Sequence, residues 1–184
     1  MKTVLFCLAA LTLPFSVSAQ DAKQDKAKSS LDRKDSRALR DMGEADLAEV
    51  EAGKLAAQKA SSPEVKKFAQ QMVDDHGKAL SDDKSLAQSK GAQPPSSPNK
   101  KHQSAMKKME SMSGEEFDHA YMQQMVKDHQ ETLKKLQDAS KNAKDPDIKA
   151  AATKMAPIVQ QHLQMARSLS GGEAAAGGGK KSGK

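Results

Sequence analysis

Three histidines in separate parts of the chain have the surroundings of core positions in helices, and their side chains could bind a metal ion. His76, His129 and His162 each have apolar residues three or four positions before and after them, which is the spacing of one helix face. Imidazole binds zinc, copper, iron and nickel. If the three helices face one core, these side chains would form a transition-metal site. His102 and His119 lie off the apolar faces, and we expect them to face solvent.

The first long segment brings no histidine but carries acids that could complete such a site. We expect Leu47, Val50 and Leu55 to form its buried face. The acids beside this face are Asp46, Glu49 and Glu51. A carboxylate can join imidazoles around a metal ion, so Glu49 or Glu51 is the candidate fourth ligand.

Two aspartates directly precede two of the histidines and could orient them. Asp75 comes before His76, and Asp128 comes before His129. A carboxylate that accepts a hydrogen bond from a ligating imidazole fixes the orientation of its ring. The same histidines are also explained as hydrogen-bonded core residues, paired with an acid and holding no metal. Both interpretations stay open, and copper, zinc and iron all stay open as the metal.

The sequence does not support a di-iron enzyme. Ferritin-like di-iron proteins carry a glutamate three residues before the histidine on each of two helices. Here the residues at that position are Val73, Val126 and Val159. The sequence also shows no nucleophile–base pair and no phosphate-binding loop, so it favours a protein that is not an enzyme.

A cluster of methionines allows a softer metal but has a simpler explanation. Met106, Met109 and Met112 follow one another at intervals of three residues. Thioethers and imidazoles together select Cu(I). Methionine is also an adaptable core filler, and this spacing equally describes the apolar face of a short helix. We favour the second explanation.

Four long helices are predicted to position these residues. Ser62-Pro63 and Asp145-Pro146 each provide an N-cap followed by proline in the first turn, and Ser113 with Glu116 fits a capping box. The predicted helices span about 35–60, 63–90, 114–142 and 146–169, with a short additional helix at 100–111.

The lengths of the connections predict the topology. Two short turns make two antiparallel hairpins, and residues 91–113 are long enough to cross the bundle. The prediction is therefore an all-α, ferritin-like antiparallel four-helix bundle of two hairpins joined by a long crossover. The second and fourth helices open with similar strings, PEVKKFAQQM (63–72) and PDIKAAATKM (146–155), which is compatible with duplication of a hairpin.

The ends of the chain have the composition of export and linker segments. Residues 1–19 combine a lysine, a short apolar stretch and a small-residue cleavage site, as a secretory signal peptide does. We expect residues 20–34 to be disordered, residues 35–170 to form the bundle and residues 171–184 to be a flexible Gly/Lys tail. The only cysteine, Cys7, lies in the signal peptide. The expected location is the periplasm or outside the cell, with outer-membrane association left open.

The charge pattern favours an ordinary solvated surface. The formal net charge is +6, and charges of both signs alternate along the chain. Alternating charges are typical of exposed helix faces, so we expect no nucleic-acid partner. We also expect no transmembrane segment. An envelope surface or a protein partner remains open, as does the oligomeric state.

Several strings of residues resemble one known family. They are Ala45–Ala56, Phe68–His76, Phe117–Tyr121, Val126–His129 and the spacing from Pro157 to His162. Over roughly residues 35–169 the chain resembles the DUF4142 family. The resemblance implies an exported bacterial protein with a ferritin-like bundle, and it implies no established activity.

Two hypotheses for the function follow from the sequence. The first is a non-catalytic helical bundle of the bacterial envelope, a stress-related or interaction module whose histidines are structural. The alternative is a periplasmic metal-binding bundle that uses the three histidines. The sequence places the first modestly ahead, because a buried histidine usually has a structural role.

Overall fold

Five helices make up the part of the chain that the computed structural model describes, residues 31–177, with side chains described as far as residue 171. They are α1 (Arg33–Lys59), α2 (Pro63–Ser89), α3 (Lys100–Glu110), α4 (Gly114–Asn142) and α5 (Pro146–Gly177). The signal peptide predicted at 1–19 lies outside the described residues, as do residues 20–30 and 178–184.

The helix starts follow the capping residues with one exception. Asp32 accepts from the amides of residues 34 and 35, and Ser62 accepts from the amide of Val65. The predicted capping box of α4 is wrong, because the Ser113 side chain makes no capping hydrogen bond. Gly114 has a φ of 62°, a left-handed conformation that turns the chain into α4 at this point.

Both outer helices are longer than predicted. α1 begins at Arg33 because Asp32 caps it. α5 continues to Gly177, beyond the predicted end at Leu169. Residues 173–176 have the sequence EAAA, and alanine and glutamate are strong helix formers. The helices therefore continue to residue 33 in the segment predicted to be disordered and to residue 177 in the predicted flexible tail.

The topology confirms the predicted fold class. α1 packs against α2, and α4 packs against α5, as two antiparallel hairpins. The hairpins meet through α1 with α4 and α2 with α5, and the crossover carries α3 against α1 and α4. Gly53 allows α1 to approach α2 closely, because a Cβ there would lie 2.8 Å from the carbonyl oxygen of Ala69. No described helix is long and apolar enough to cross a membrane.

Each hairpin turn is held by a buried aspartate from the other hairpin. Asp118 in α4 accepts from the amides of Ser61 and Ser62 at 3.0 and 2.8 Å. Asp35 in α1 accepts from the amides of residues 144 and 145 at 3.2 and 2.7 Å. The separation in sequence from Asp35 to Asp118 equals that from Pro63 to Pro146. The two contacts are therefore equivalent, which supports the duplication suggested by the repeated strings.

The core consists of two apolar clusters with polar residues between them. One cluster lies near the α1–α2 turn and includes Phe68, Phe117 and Tyr121. The other lies towards the α4–α5 turn and includes Leu136 and Ile148. In each long helix, buried polar residues separate the parts that belong to the two clusters. We call these residues the polar layer: Asp46, Glu49, His76, His129 and His162.

Candidate metal centre

The structure brings the three predicted histidines together in the polar layer. The ring centroids of His76 and His129 lie 5.6 Å apart, those of His76 and His162 5.3 Å, and those of His129 and His162 5.5 Å. Each residue is only 1% exposed. One nitrogen of each ring lies within 4.8 Å of the corresponding nitrogens of the other two. Helices α2, α4 and α5 thus direct their histidines to one point in the core.

An oxygen atom holds one nitrogen of each ring. The pairs are His76 Nδ1 with Asp46 Oδ1 at 2.8 Å, His129 Nδ1 with the Met125 carbonyl at 2.9 Å, and His162 Nε2 with Asp75 Oδ2 at 2.9 Å. A carbonyl or an ionised carboxylate can only accept a hydrogen bond. In the neutral rings the proton therefore lies on the nitrogen that faces the oxygen.

The remaining nitrogen of each ring then carries a free lone pair. These atoms are Nε2 of His76, Nε2 of His129 and Nδ1 of His162, and all three are buried without a hydrogen-bond partner among the described residues. Neutral imidazole binds metals through such a lone pair. The three oxygen contacts therefore leave three ligand atoms available in one place.

The electrostatic environment keeps two of the rings neutral. Burial, with the nearby His76 and His162, lowers the pKa of His129 to about 3. Burial and His76 also lower the pKa of His162. For His76 burial acts in the same direction, but the hydrogen bond that its ring donates to Asp46 and the charge of Glu49 outweigh it and raise the pKa. Of the three rings, His76 therefore takes up a second proton most readily, and its Nε2 lone pair is free in the neutral form.

Glu49 lies beside the histidines with one oxygen unpartnered. Its Oε1 is 3.6 Å from Nδ1 of His129, and its Oε2 is buried without a hydrogen bond among the described residues. Burial raises the pKa of Glu49 to about 7. The Tyr121 hydroxyl is also buried and unpartnered, and burial with the charge of Glu49 raises the pKa of Tyr121 well above its usual value.

The other acids predicted for the site have different surroundings. Glu51 is half-buried on α1 and is not among the residues grouped around the three nitrogens. Asp75 orients His162 across the helix interface, not the adjacent His76. Asp128 accepts a hydrogen bond from the side chain of Gln124 at 2.6 Å and acts on the adjacent His129 through its charge, whereas the Met125 carbonyl orients that ring.

Two residues of the site were not identified from the sequence. Asp46 was predicted only to lie beside the buried face of the first helix, yet in the structure it orients His76. It lies on the buried face of α1 with Leu39 and Met42, at steps of three and four residues, and that spacing could have revealed it. His102, expected to face solvent, has a side chain only 13% exposed, because α3 packs against α1 and α4. His119 is exposed as expected.

The three lone pairs fit a metal ion after a small contraction. A zinc–nitrogen distance of about 2.1 Å places nitrogens of a tetrahedral site about 3.4 Å apart. One nitrogen of each ring lies within 4.8 Å of a nitrogen of each of the other two, so movements of about 1 Å would bring one nitrogen of each ring to binding distance. Three imidazole ligands with acceptors behind them are the donor set of zinc and copper sites.

The chain belongs to the DUF4142 family, a domain of unknown function, whose family model matches residues 19–169. No curated protein matches the sequence at a significant level. The sequence resemblance to this family is therefore confirmed, and it assigns no activity.

Several solved structures share the fold at low sequence identity. A DUF305 protein from Streptomyces coelicolor, described as secreted, is 15% identical, with a TM-score of 0.67 over 77% of this chain and 92% of that one. A DUF305 fragment from Deinococcus radiodurans is 9% identical, with a TM-score of 0.69 over 77% and 97%. CopM in its Cu(II)-bound form is 17% identical, with a TM-score of 0.64 over 75% and 96%. At these identities the likeness shows the fold alone.

Proposed function

We propose that this DUF4142 protein binds a copper ion through Nε2 of His76, Nε2 of His129 and Nδ1 of His162. The observation that carries the proposal is the convergence of three buried, unpartnered lone pairs, each on a ring held by an oxygen on its other side. The protein would be a metal-binding protein and not an enzyme.

A purely structural role explains this arrangement less well. A histidine kept for hydrogen bonding in a core is expected to satisfy its polar atoms, because an unpaired buried acceptor costs about 1–3 kcal/mol. Here three such atoms lie together between two apolar clusters. One metal ion would satisfy all three, and leucine-like side chains would serve a structural core without this cost.

Copper is the metal that the donor set favours. For a given nitrogen site the affinity of divalent ions rises to Cu(II) and is lower for zinc. The fold is also similar to that of CopM, which is described in Cu(II)-bound and Cu(I)-bound forms. Zinc is the principal competitor, because it commonly binds three histidines and leaves a fourth position open.

The protein would meet this metal after export. Residues 1–19 have the features of a secretory signal peptide, and a protein of similar fold is described as secreted. Copper that enters an envelope compartment would thus reach the bundle without passing through the cytoplasm.

The test is a copper titration of the purified exported protein. We expect the triple variant His76→Gln, His129→Gln, His162→Gln to bind one Cu(II) fewer per chain than the wild type, and the wild-type electron paramagnetic resonance spectrum to show nitrogen ligands that the variant lacks. His119→Gln is the matched control, since it removes an exposed imidazole. Equal binding by the wild type and the triple variant, or no binding tighter than millimolar, would refute the proposal. A parallel zinc titration decides between the two metals.

A further inference from the structure

A second cluster of unpartnered polar atoms lies next to the histidines, between α1, α3 and α4. Glu49, His102 and Asp128 all line one small cavity of about 10 Å³. Each contributes a buried atom without a hydrogen bond among the described residues, namely Glu49 Oε2, His102 Nδ1 and Asp128 Oδ1. Glu49 and Asp128 are at most 5% exposed. Two carboxylates and an imidazole therefore surround a space of the size of one small ion or one water molecule.

The polar contacts within this cluster do not satisfy these atoms. Nε2 of His102 lies 3.5 Å from Oδ1 of Asp128, and Lys101 Nζ lies 3.9 Å from the same oxygen. Both distances are too long for a good hydrogen bond. The other oxygen of Asp128 is held by Gln124, which fixes the carboxylate in place.

An open groove connects the cluster with solvent. It lies between α1 and α4, has a volume of about 640 Å³, and is lined at one end by His102 and Asp128. These same two residues line the small cavity. Because they belong to both spaces, an ion in the groove would meet them before it could reach the core.

Glu49 connects the small cavity with the histidines of the core. One of its oxygens lies 3.6 Å from Nδ1 of His129, and its other oxygen is the unpartnered atom of the cluster. These residues thus line a path that leads from the groove past His102 and Asp128 to Glu49 and then to His129.

We infer that Glu49, His102 and Asp128 form a second, outer site for a divalent transition-metal cation, through which the ion passes from the groove to the three core histidines. Two carboxylates make the outer site anionic, whereas the inner donors are three imidazoles. Basic as well as acidic side chains line the groove, so the attraction for a cation comes from the carboxylates at its end, which raise the local cation concentration and accelerate binding. The thioethers of Met106 and Met109 also line the cavity and suit copper. The passage to the inner site rests on the proposed function, but binding at the outer site does not.

The competing explanation is a single buried water molecule. A cavity of this size with several polar atoms can hold one water, which would donate to the carboxylates. Water would satisfy these atoms without any effect on metal stoichiometry or on the rate of metal binding.

The experiment measures Cu(II) stoichiometry and association rate for three forms of the full exported protein. The outer variant is His102→Gln with Asp128→Asn, and the inner variant is the triple glutamine variant. The control is His119→Gln with Glu116→Gln, which changes exposed residues of α4 that do not line the groove. We expect two ions for the control and one for each variant. In the outer variant the remaining ion should bind the core histidines about tenfold more slowly or worse.

Each outcome separates the two proposals. An outer variant that matches the control in stoichiometry and rate overturns the outer site and assigns the cavity to water. A fourth form combines the outer and the inner substitutions. If the inner variant keeps one ion and this combined variant binds none, the outer site is supported, whether or not the inner site binds an ion. If the inner variant binds one ion fewer than the control while the outer variant binds as many as the control, only the proposed function is supported. His102→Gln by itself, on the half-exposed α3, repeats the rate measurement if the double variant does not fold.

Discussion

The bundle buries two kinds of carboxylate, and their surroundings differ. At the two ends, Asp118 and Asp35 each accept hydrogen bonds from backbone amides in the turn of the opposite hairpin. In the polar layer, burial raises the pKa of Asp46 and of Glu49, and Glu49 keeps one oxygen without a partner. Both end acids bind backbone amides of the fold, whereas in the layer Asp46 binds a histidine ring and Glu49 keeps one oxygen unpartnered.

This difference indicates what each region contributes. A buried carboxylate that accepts from backbone amides stabilises the structure and fixes the position of the turn. A buried acid or imidazole with an unpartnered atom costs stability. The acids at the two ends of the bundle therefore hold the hairpins together. The polar layer retains polar groups that the fold itself does not need. That contrast is the physical reason to assign a binding function to the middle.

The largest expected effect comes from removing an end acid. Asp118→Ala leaves the amides of Ser61 and Ser62 without their acceptor, so we expect a loss of about 2–3 kcal/mol in the free energy of unfolding. Urea denaturation measures it, with Glu115→Ala on the exposed first turn of α4 as control. Asp35→Ala should have a similar cost because its contacts are equivalent. A loss below about 0.5 kcal/mol in both variants would remove the distinction between the ends and the middle.

Replacing a buried acid near the crossover should raise the free energy of unfolding instead of lowering it. Burial, with the charge of Asp46, raises the pKa of Asp83 to about 8. The folded protein then holds a proton that the unfolded chain releases above the ordinary aspartate pKa of 3.8, so Asp83 makes stability fall as the pH rises between these two pKa values.

The corresponding variant is Asp83→Asn, which should be more stable than the wild type at pH 9 by about 2 kcal/mol and nearly equal to it near pH 4. Chemical denaturation across this pH range measures the difference. Asp74→Asn, at an exposed position of the same helix, provides the comparison. A difference between Asp83→Asn and the wild type that does not change with pH would contradict the raised pKa.

The smallest expected effect is a gain of stability in the layer itself. His129→Leu removes an unpartnered buried nitrogen, and among the described residues the other ring nitrogen bonds only to the Met125 carbonyl within the same helix. We expect the metal-free variant to be more stable by about 1 kcal/mol and to lose copper binding. Thermal unfolding in the presence of a chelator, with His119→Leu as control, measures the first effect. Destabilisation of the metal-free protein would favour a structural role for His129.

The parts of the site that were predictable depend on contacts within a helix. The stripes around His76, His129 and His162 repeat every three or four residues, so each helix by itself reveals which face is buried. The capping residues and connection lengths likewise predict the two hairpins. Local spacing was sufficient for these features because neighbouring residues determine them.

The contacts between helices were not predictable from local spacing. Asp75 follows Asp74 and precedes His76, but its partner lies on α5. The buried face of α1 is rich in alanine, with Ala45, Ala48 and Ala52 in the core, whereas Leu47 and Val50 are only half-buried. Small residues allow close helix packing, so the largest apolar side chains of α1 indicated the wrong face. The position of His102 depends on where the crossover places α3, which no local pattern specifies.

The equivalent contacts of Asp35 and Asp118 also bear on how such a centre could arise. The separation that relates these two acids also relates Asp46 to His129, so the acceptor for His76 and one of the proposed ligands occupy corresponding places in the two hairpins. A symmetric pair of identical hairpins would have the same side chain at both places and could supply two acceptors or two ligands, but not one of each. Fusion of the hairpins into a single gene product removes that restriction. The asymmetric centre is therefore accessible to a duplicated chain and closed to a homodimeric ancestor.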